Sequence, residues 1–154
     1  MHKSLTNILL ALGLSLTTLC AHAANGQFSL TQPGKRTTIY STGTGSVENY
    51  FFVLSSSFPS GTSSKRKTLT AVRYAITSYP SAITHTAEIC YYKPYWADAT
   101  RCVSVSGGST GTTSNFNDLE FGPGVRIDIR HKFMGSSGPI APTRPDNLTM
   151  YFTY

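Results

Sequence analysis

The side chains that could support catalysis in this chain are few and widely spaced. His85, His131, Cys90 and Cys102 are the histidines and cysteines that lie beyond the first 23 residues. Neither histidine has the spacing of a metal-ligand motif, and no serine lies in a nucleophile-elbow sequence. The seven acidic residues form no evident pair, so only folding could assemble a carboxylate dyad from them. The sequence therefore predicts a protein that is not an enzyme and that uses no cofactor and no metal.

The N-terminal segment determines the chemistry expected of the cysteines. It reads MHKSLTNILLALGLSLTTLCAHA, with the basic Lys3, an apolar stretch over residues 8–19 and a small-x-small site at residues 21–23. This pattern is typical of a secretory signal peptide, and the apolar stretch is shorter than the roughly 20 residues that a spanning helix needs. We expect cleavage near Ala23, a periplasmic location (secretion being the second choice), and a single domain over residues 24–154 with no transmembrane segment.

Two cysteines in an exported chain are expected to form a disulfide. If Cys90 lies opposite Cys102 in a hairpin, Ile89 faces Val103, so apolar side chains meet across the strands. A slip of one residue would break this match. The bridge would close a loop of about 13 residues, which the chain-entropy model values at roughly 3 kcal/mol.

The segment between the cysteines, CYYKPYWADATRC, carries three tyrosines and the only tryptophan of the chain. Two interpretations are open. The aromatic side chains could fold back and cap the core, or they could stand out as a contact surface, as Tyr and Trp do at interfaces. Under the second interpretation, the predicted partner-binding residues are Tyr92, Tyr95 and Trp96.

The elements that position these residues are strands, because apolar residues recur with a period of two and helical periodicity is absent. The pattern predicts an all-β fold, an antiparallel sandwich or open barrel. Strands are expected at residues 36–40, 50–54, 68–77, 85–92, 101–106, 125–133 and 147–154. The segment before residue 36 alternates poorly, and residues 55–67, 107–115 and 135–146 are expected to be loops. In residues 68–77, the side chains expected to face the core are Thr70, Val72, Tyr74 and Ile76.

A row of charged residues alternates with apolar ones near the C-terminus. Beyond residue 23, twelve Lys and Arg against seven Asp and Glu leave a net charge of +5. Arg126, Arg130 and Lys132, with Asp128 among them, are expected on one exposed strand face. This face is either a solubilising surface or a docking surface for a protein partner. Scattered charges without a nucleic-acid motif, in an exported chain, argue against nucleic-acid binding.

Four segments in this order, TLTAVRYAI, ICYY…RCVSVSGGSTGTT, VRIDIRHKF and PIAP…NLTMYFTY, resemble the flagellar protein FlhE family. The resemblance covers residues 67–154. It implies a periplasmic accessory protein of flagellar export that acts as a regulator or a chaperone-like plug, without catalytic residues. Its expected partners are components of the export apparatus or basal body, and a homodimer is compatible with this role.

Two other functions fit the same sequence. A pilin-like subunit of a surface fibre is one, since the chain ends in an alternating strand and has one disulfide; such subunits complete one another's sheets with a donated strand. A secreted glycan-binding module that uses the loop aromatics is the other, because loops carry binding residues on β scaffolds.

Overall fold

Antiparallel strands form nearly all of the regular structure. The computed structural model describes residues 23–154, so the predicted signal peptide lies outside the described residues. Within this range the chain forms eleven strands and one 3₁₀ turn at Ser55–Ser57. Among residues 23–154, no helix is long and apolar enough to cross a membrane. The predicted all-β antiparallel architecture is confirmed, and it is a sandwich rather than a barrel.

Two sheets pack face to face, and a short ribbon lies beside them. The first sheet consists of β1 (Asn25–Gln32), β4 (Lys67–Ala75), β7 (Thr110–Thr113), β8 (Glu120–Phe121) and β11 (Asp146–Thr153). Its strand order is β1-β11-β4-β7, with β8 also paired to β4. The second sheet consists of β3 (Thr44–Phe52), β5 (Thr84–Tyr92), β6 (Arg101–Ser106) and β9 (Arg126–Met134). Its strand order is β3-β9-β5-β6. The ribbon pairs β2 (Thr37–Ile39) with β10 (Gly138–Ile140).

The core lies between the two sheets and is almost entirely aliphatic and aromatic. Strand β9 supplies Ile127 and Ile129 to this core, whereas Phe133 packs in a smaller cluster with Ile39 and Ile140 of the ribbon. The other large side chains that are fully buried include Phe51, Leu69, Ile76, Ile89, Tyr91, Phe116 and Phe152. Burial of each such side chain stabilises the fold by about 1.5–3 kcal/mol.

The second sheet has two ends that matter for the site. At one end Phe52 pairs with Arg126, which in turn pairs with Tyr92. We call this the loop end, because the segment between the cysteines follows Tyr92. At the other end, the far end, Thr44 pairs with Met134. The strands between the ends are nine residues long, so the ends lie roughly 30 Å apart.

Strand β1 was not expected, because its segment alternates poorly in sequence. It pairs with β11 over eight residues, from Asn25 to Gln32. Its inward positions include Gly26, where a Cβ would lie only 2.5 Å from the ring of Phe152. Because a glycine occupies this inward position, the sequence has no apolar side chain there, and the alternation of the strand was not evident.

The core face expected in residues 68–77 was wrong at its first position only. Leu69 is buried and Thr70 is exposed, the reverse of the prediction, whereas Val72 and Ile76 are buried as expected. The register explains the error, because Ala71 pairs with Tyr151 while Leu69 pairs with the next residue of β11. This β-bulge leaves Thr70 as an extra residue, and such a residue reverses the alternation along a strand.

The segment of residues 55–67 is not a fully exposed loop. Phe58 is buried among the aromatic rings of the core, 5.2 Å from the ring of Phe152. Lys67, the last residue of the expected loop, is also buried. Its ammonium donates to three backbone carbonyls and lies 4.3 Å from the Phe58 ring centroid. Burial lowers the pKa of Lys67. The other two expected loops contain the short strands β7 and β10.

Candidate interaction surface

The hairpin of β5 and β6 has the predicted register. Cys90 pairs with Cys102, and Ile89 with Val103. The two cysteines are disulfide-bonded, which confirms the predicted bridge. Both lie on the face of the second sheet that points away from the core, which we call the outer face. The bridge thus ties together the two strands that carry the segment of residues 93–100, here called the aromatic tip.

The aromatic tip begins with a tight turn whose backbone is unusual. The amide of Trp96 donates to the carbonyl of Lys93 at 3.2 Å, which closes a four-residue turn around Pro94 and Tyr95. Tyr95 has φ +65° and is the only non-glycine residue with positive φ among residues 23–154. Proline followed by a residue of positive φ is the signature of a type II turn, and glycine or asparagine normally fills the second position. A tyrosine there indicates local strain.

The structure separates the loop aromatics into buried and exposed residues. Tyr91 is buried in the core, whereas Tyr92 is buried on the outer face beneath Arg126 and Arg130. Tyr95 is 102% exposed relative to its reference surface, and Trp96 is 59% exposed. Tyr92 was predicted to contact a partner, but it is only 1% exposed and cannot do so; it belongs to the base of the tip. The exposed contact candidates of the tip are therefore Tyr95 and Trp96.

The base of the tip is held firmly against the sandwich. The hydroxyl of Tyr91 donates to the carbonyl of Glu120. A Cβ at Gly124 (φ +90°) would lie 3.2 Å from Pro94, so the turn rests against the backbone at that point. Arg101 binds both carboxylate oxygens of Asp118, at 2.6 and 2.9 Å. These contacts fix the exposed side chains on a defined platform.

The three basic residues of β9 share the outer face, as predicted, but each has an acidic neighbour. Arg130 contacts Glu48 at 2.6 Å, and Lys132 contacts Glu88 at 2.7 Å. Arg126 contacts Asp128 at 3.1 Å in the same way. The three pairs balance in charge. The positive excess of the chain therefore does not lie on this face, and its geometry resembles a solubilising surface more than a docking surface for an acidic partner.

Tyr92 links this face to the tip. The guanidinium carbon of Arg126 lies 3.9 Å from the centroid of the Tyr92 ring, and Arg130 donates to the Tyr92 hydroxyl. Asp128 was expected to be exposed on this face, but it is buried beneath the arginines; burial raises its pKa although Arg126 acts to lower it. Arg126 and Arg130 thus cover Tyr92 and brace the base of the tip.

Comparison with known proteins identifies the architecture. No family model and no curated protein matches the sequence. The crystal structure of FlhE superimposes with a TM-score of 0.52 at 17% sequence identity, over 86% of this chain and 100% of that chain. The fold is that of FlhE. The structural match confirms the fold that the sequence resemblance implied. A structure of infectious bursal disease virus Gx strain gives a TM-score of 0.24 at 14% identity, over 85% of this chain and 36% of that chain, a similarity that carries no argument.

Inside the FlhE-like sandwich lies a polar network that the sequence did not reveal. Asp146 accepts hydrogen bonds from the amide of Thr77 at 2.6 Å and from Asn49 Nδ2 at 2.6 Å. It also lies 2.9 Å from His131 Nε2, and His131 Nδ1 lies 3.0 Å from His85 Nε2. With a neutral His131, Nε2–H donates to Asp146 and Nδ1 accepts from His85.

The surroundings of this network determine its charges. Burial acts to raise the pKa of Asp146, but the hydrogen bonds from His131, Thr77 and Asn49 outweigh it and hold this pKa below its ordinary value. Burial lowers the pKa of His85 to about 4, so this imidazole is neutral at pH 7. His131 is fully buried and has a hydrogen-bond partner at each ring nitrogen, so its role in the interior is structural.

The network joins the two sheets of the FlhE fold. Asp146 belongs to the first sheet, whereas Asn49, His131 and His85 belong to the second. The backbone of Gly107 covers His85, since a Cβ there would fall 2.0 Å from Nδ1. Among residues 23–154, no group of three or more His, Cys, Asp or Glu side chains is arranged to hold a metal ion. The network consists of buried hydrogen bonds that hold the two sheets together. Only the folded topology brings these residues together, so no sequence spacing could have signalled them.

Proposed function

We propose that this protein is a non-catalytic accessory protein of the flagellar export system that acts in the periplasm as a regulator or a chaperone-like plug. The observation that carries the proposal is the match to the whole of the FlhE chain. The N-terminal segment supports export, because it has the pattern of a signal peptide. Its partner would be a component of the export apparatus or the basal body.

The site geometry supports a role based on binding. A disulfide-linked hairpin presents Tyr95 and Trp96 in solvent on a braced platform. Large aromatic side chains that are held rigidly lose little conformational entropy on binding, and for this reason they often dominate contact energies. The interior polar network, by contrast, is covered by the two sheets and joins them.

The fibre-subunit alternative finds less support in the strand arrangement. The first strand of the described chain, β1, already pairs with β11 over its full length of eight residues. A sheet completed by its own strand offers no vacancy there for a strand donated by another subunit. The glycan-binding alternative depends on the same exposed aromatics as the proposal, and a glycan array can test it separately.

Deletion of the gene in the encoding bacterium tests the proposal. We expect impaired swarming or a proton leak in cells that assemble flagella, and restoration of both by the wild-type gene. The control is the same deletion in a strain that makes no flagella, where the leak should be absent. Wild-type swarming together with a normal proton permeability in the flagellated deletion strain would refute the proposal.

A further inference from the structure

We infer that the aromatic tip is a membrane-docking element that inserts into the headgroup region of an anionic phospholipid bilayer. The inference concerns residues 93–100 and their neighbours at the loop end of the sandwich. It does not depend on the flagellar role proposed above.

The first observation is the strained turn. Tyr95 occupies a left-handed position that glycine or asparagine would fill without strain, yet its ring stands fully in solvent. An exposed ring gains nothing from packing inside the fold, so nothing within the domain offsets the strain. Strained backbone of this kind concentrates at functional sites. The turn therefore projects the Tyr95 ring towards something outside the protein.

The second observation is that more apolar surface lies at the same end. Phe52 and Leu54 are 54% and 59% exposed. Between them, Val53 donates its amide to the carbonyl of Val125 and accepts from the amide of Gly124, the residue on which Pro94 rests. One end of the sandwich thus carries two aliphatic or aromatic side chains beside Tyr95 and Trp96.

The third observation is the charge around this apolar surface. Lys93 lies within the tip, with its ammonium 5.4 Å from the ring centroid of Trp96. Lys65 and Arg66 line a groove of about 680 Å³ together with Pro94 at the base of the tip. Asp98 lies within the tip and Glu120 lines the groove, while Asp118 is paired with Arg101. Lys65, Arg66 and Lys93 therefore exceed Asp98 and Glu120 by one positive charge, unlike the charge-balanced outer face. This excess complements an anionic surface.

These features favour a bilayer over a protein or a sugar. Trp and Tyr are enriched at membrane interfaces, and lysine side chains extend from apolar surface towards headgroups. A ring that projects fully into solvent would need a matching pocket in a rigid partner, whereas lipid headgroups close around any projecting shape. Sugar sites are concave and surround their ligand, but the groove beneath the tip is lined by Pro94 and not by the two exposed rings.

The single tryptophan provides a direct test. Vesicles of phosphatidylglycerol and phosphatidylethanolamine are mixed with the purified full-length protein, and Trp96 emission and co-sedimentation are recorded against vesicles of phosphatidylcholine alone. We expect a blue shift and sedimentation with the anionic vesicles only, both reduced as salt is raised, because surface charges are screened. No binding to any vesicle, or equal binding to both kinds, would overturn the inference.

Variants separate the tip from the rest of the chain. Tyr95→Gly keeps the turn and should weaken vesicle binding by on the order of tenfold, since an interfacial aromatic is lost. Replacing Lys65 and Arg66 by Gln should weaken it about fivefold for each charge. The matched control is Tyr40→Ser, which removes an aromatic side chain that is 66% exposed near the far end, and it should bind like the wild type.

All these chains have the same N-terminus, so the apolar residues 8–19 cannot account for a difference between them. Equal vesicle binding by Tyr95→Gly and wild type would refute docking through the tip. Capture of a glycan or a protein by the tip, without vesicle binding, would assign this surface to that class instead. The vesicle assay uses no flagellar component, so an absence of vesicle binding would not contradict the flagellar proposal. Likewise, wild-type swarming in the deletion strain would not contradict binding to vesicles.

Discussion

The left-handed turn at Tyr95 makes a quantitative prediction about stability. A non-glycine residue in this conformation costs roughly 1–2 kcal/mol. Glycine removes this cost but adds about 0.4–1 kcal/mol through the greater freedom of the unfolded chain. Because the Tyr95 ring is fully exposed, its removal loses no burial. Tyr95→Gly should therefore be more stable than Tyr95→Ala, which keeps the strain, by about 0.5–1 kcal/mol.

Urea denaturation and thermal melting of the two variants measure this difference. For a domain of about 130 residues, it corresponds to a shift of about 2–4 °C in Tm. Tyr95→Asn offers a second check, because asparagine tolerates the left-handed region without the full entropy of glycine. It should be at least as stable as Tyr95→Gly.

The neighbouring Ala97 supplies the matched control. It is exposed and is not among the residues with positive φ. Ala97→Gly should therefore destabilise the protein by about 0.4–1 kcal/mol, in the opposite direction to the change at position 95. If Tyr95→Gly were less stable than Tyr95→Ala, the left-handed turn and the strain argument would both be wrong.

Three further predictions concern the bridge, the interior and the outer face. Cys90→Ser should lower the free energy of unfolding by about 3 kcal/mol, and alkylation of the unreduced wild type should find Cys102 blocked; two reactive thiols would contradict the bridge. Burial lowers the pKa of His85 to about 4. The neutral His85 side chain therefore contributes fully to stability above about pH 6.5, and this contribution is lost as the pH falls towards 4. The urea concentration at the unfolding midpoint should decrease when the pH is lowered from 7 to 5, and His85→Gln should make this decrease smaller. A midpoint that increases on acidification would contradict the prediction. Lys132→Ala should cost less than about 1 kcal/mol, because its pair with Glu88 is partly exposed, and binding to vesicles or partner should be unchanged; a salt-dependent loss of binding would restore the docking interpretation of this face.

Prediction from the sequence was most accurate where the alternation of apolar residues and the pairing of the cysteines indicated the same strand register. Cys90 and Cys102 could be placed opposite each other because the apolar residues on either strand matched in only one register. Strand β9 was predictable for a similar reason, since charged and apolar residues alternate along it without interruption. The overall class followed from several such segments without helical periodicity.

Other features depend on tertiary contacts that leave no periodic trace. The extra residue at Thr70 reverses the face of β4 in mid-strand, and only the partner strand defines the bulge. Lys67 is buried because three carbonyls of its own loop surround the ammonium. His85, His131 and Asp146 meet only after both sheets have formed. For the site, the sequence identified the aromatic segment but could not tell that Tyr92 is buried beneath Arg126 and Arg130 whereas Tyr95 is exposed.

Complementation of the deletion strain by a tip variant tests most directly whether the aromatic tip carries the function. The strain is supplied with wild type, Tyr95→Gly or the control Tyr40→Ser at matched protein levels, and swarming and proton leak are measured. We predict that Tyr40→Ser restores both phenotypes, whereas Tyr95→Gly folds normally and restores neither in full. Full restoration by Tyr95→Gly would contradict a function carried by the tip.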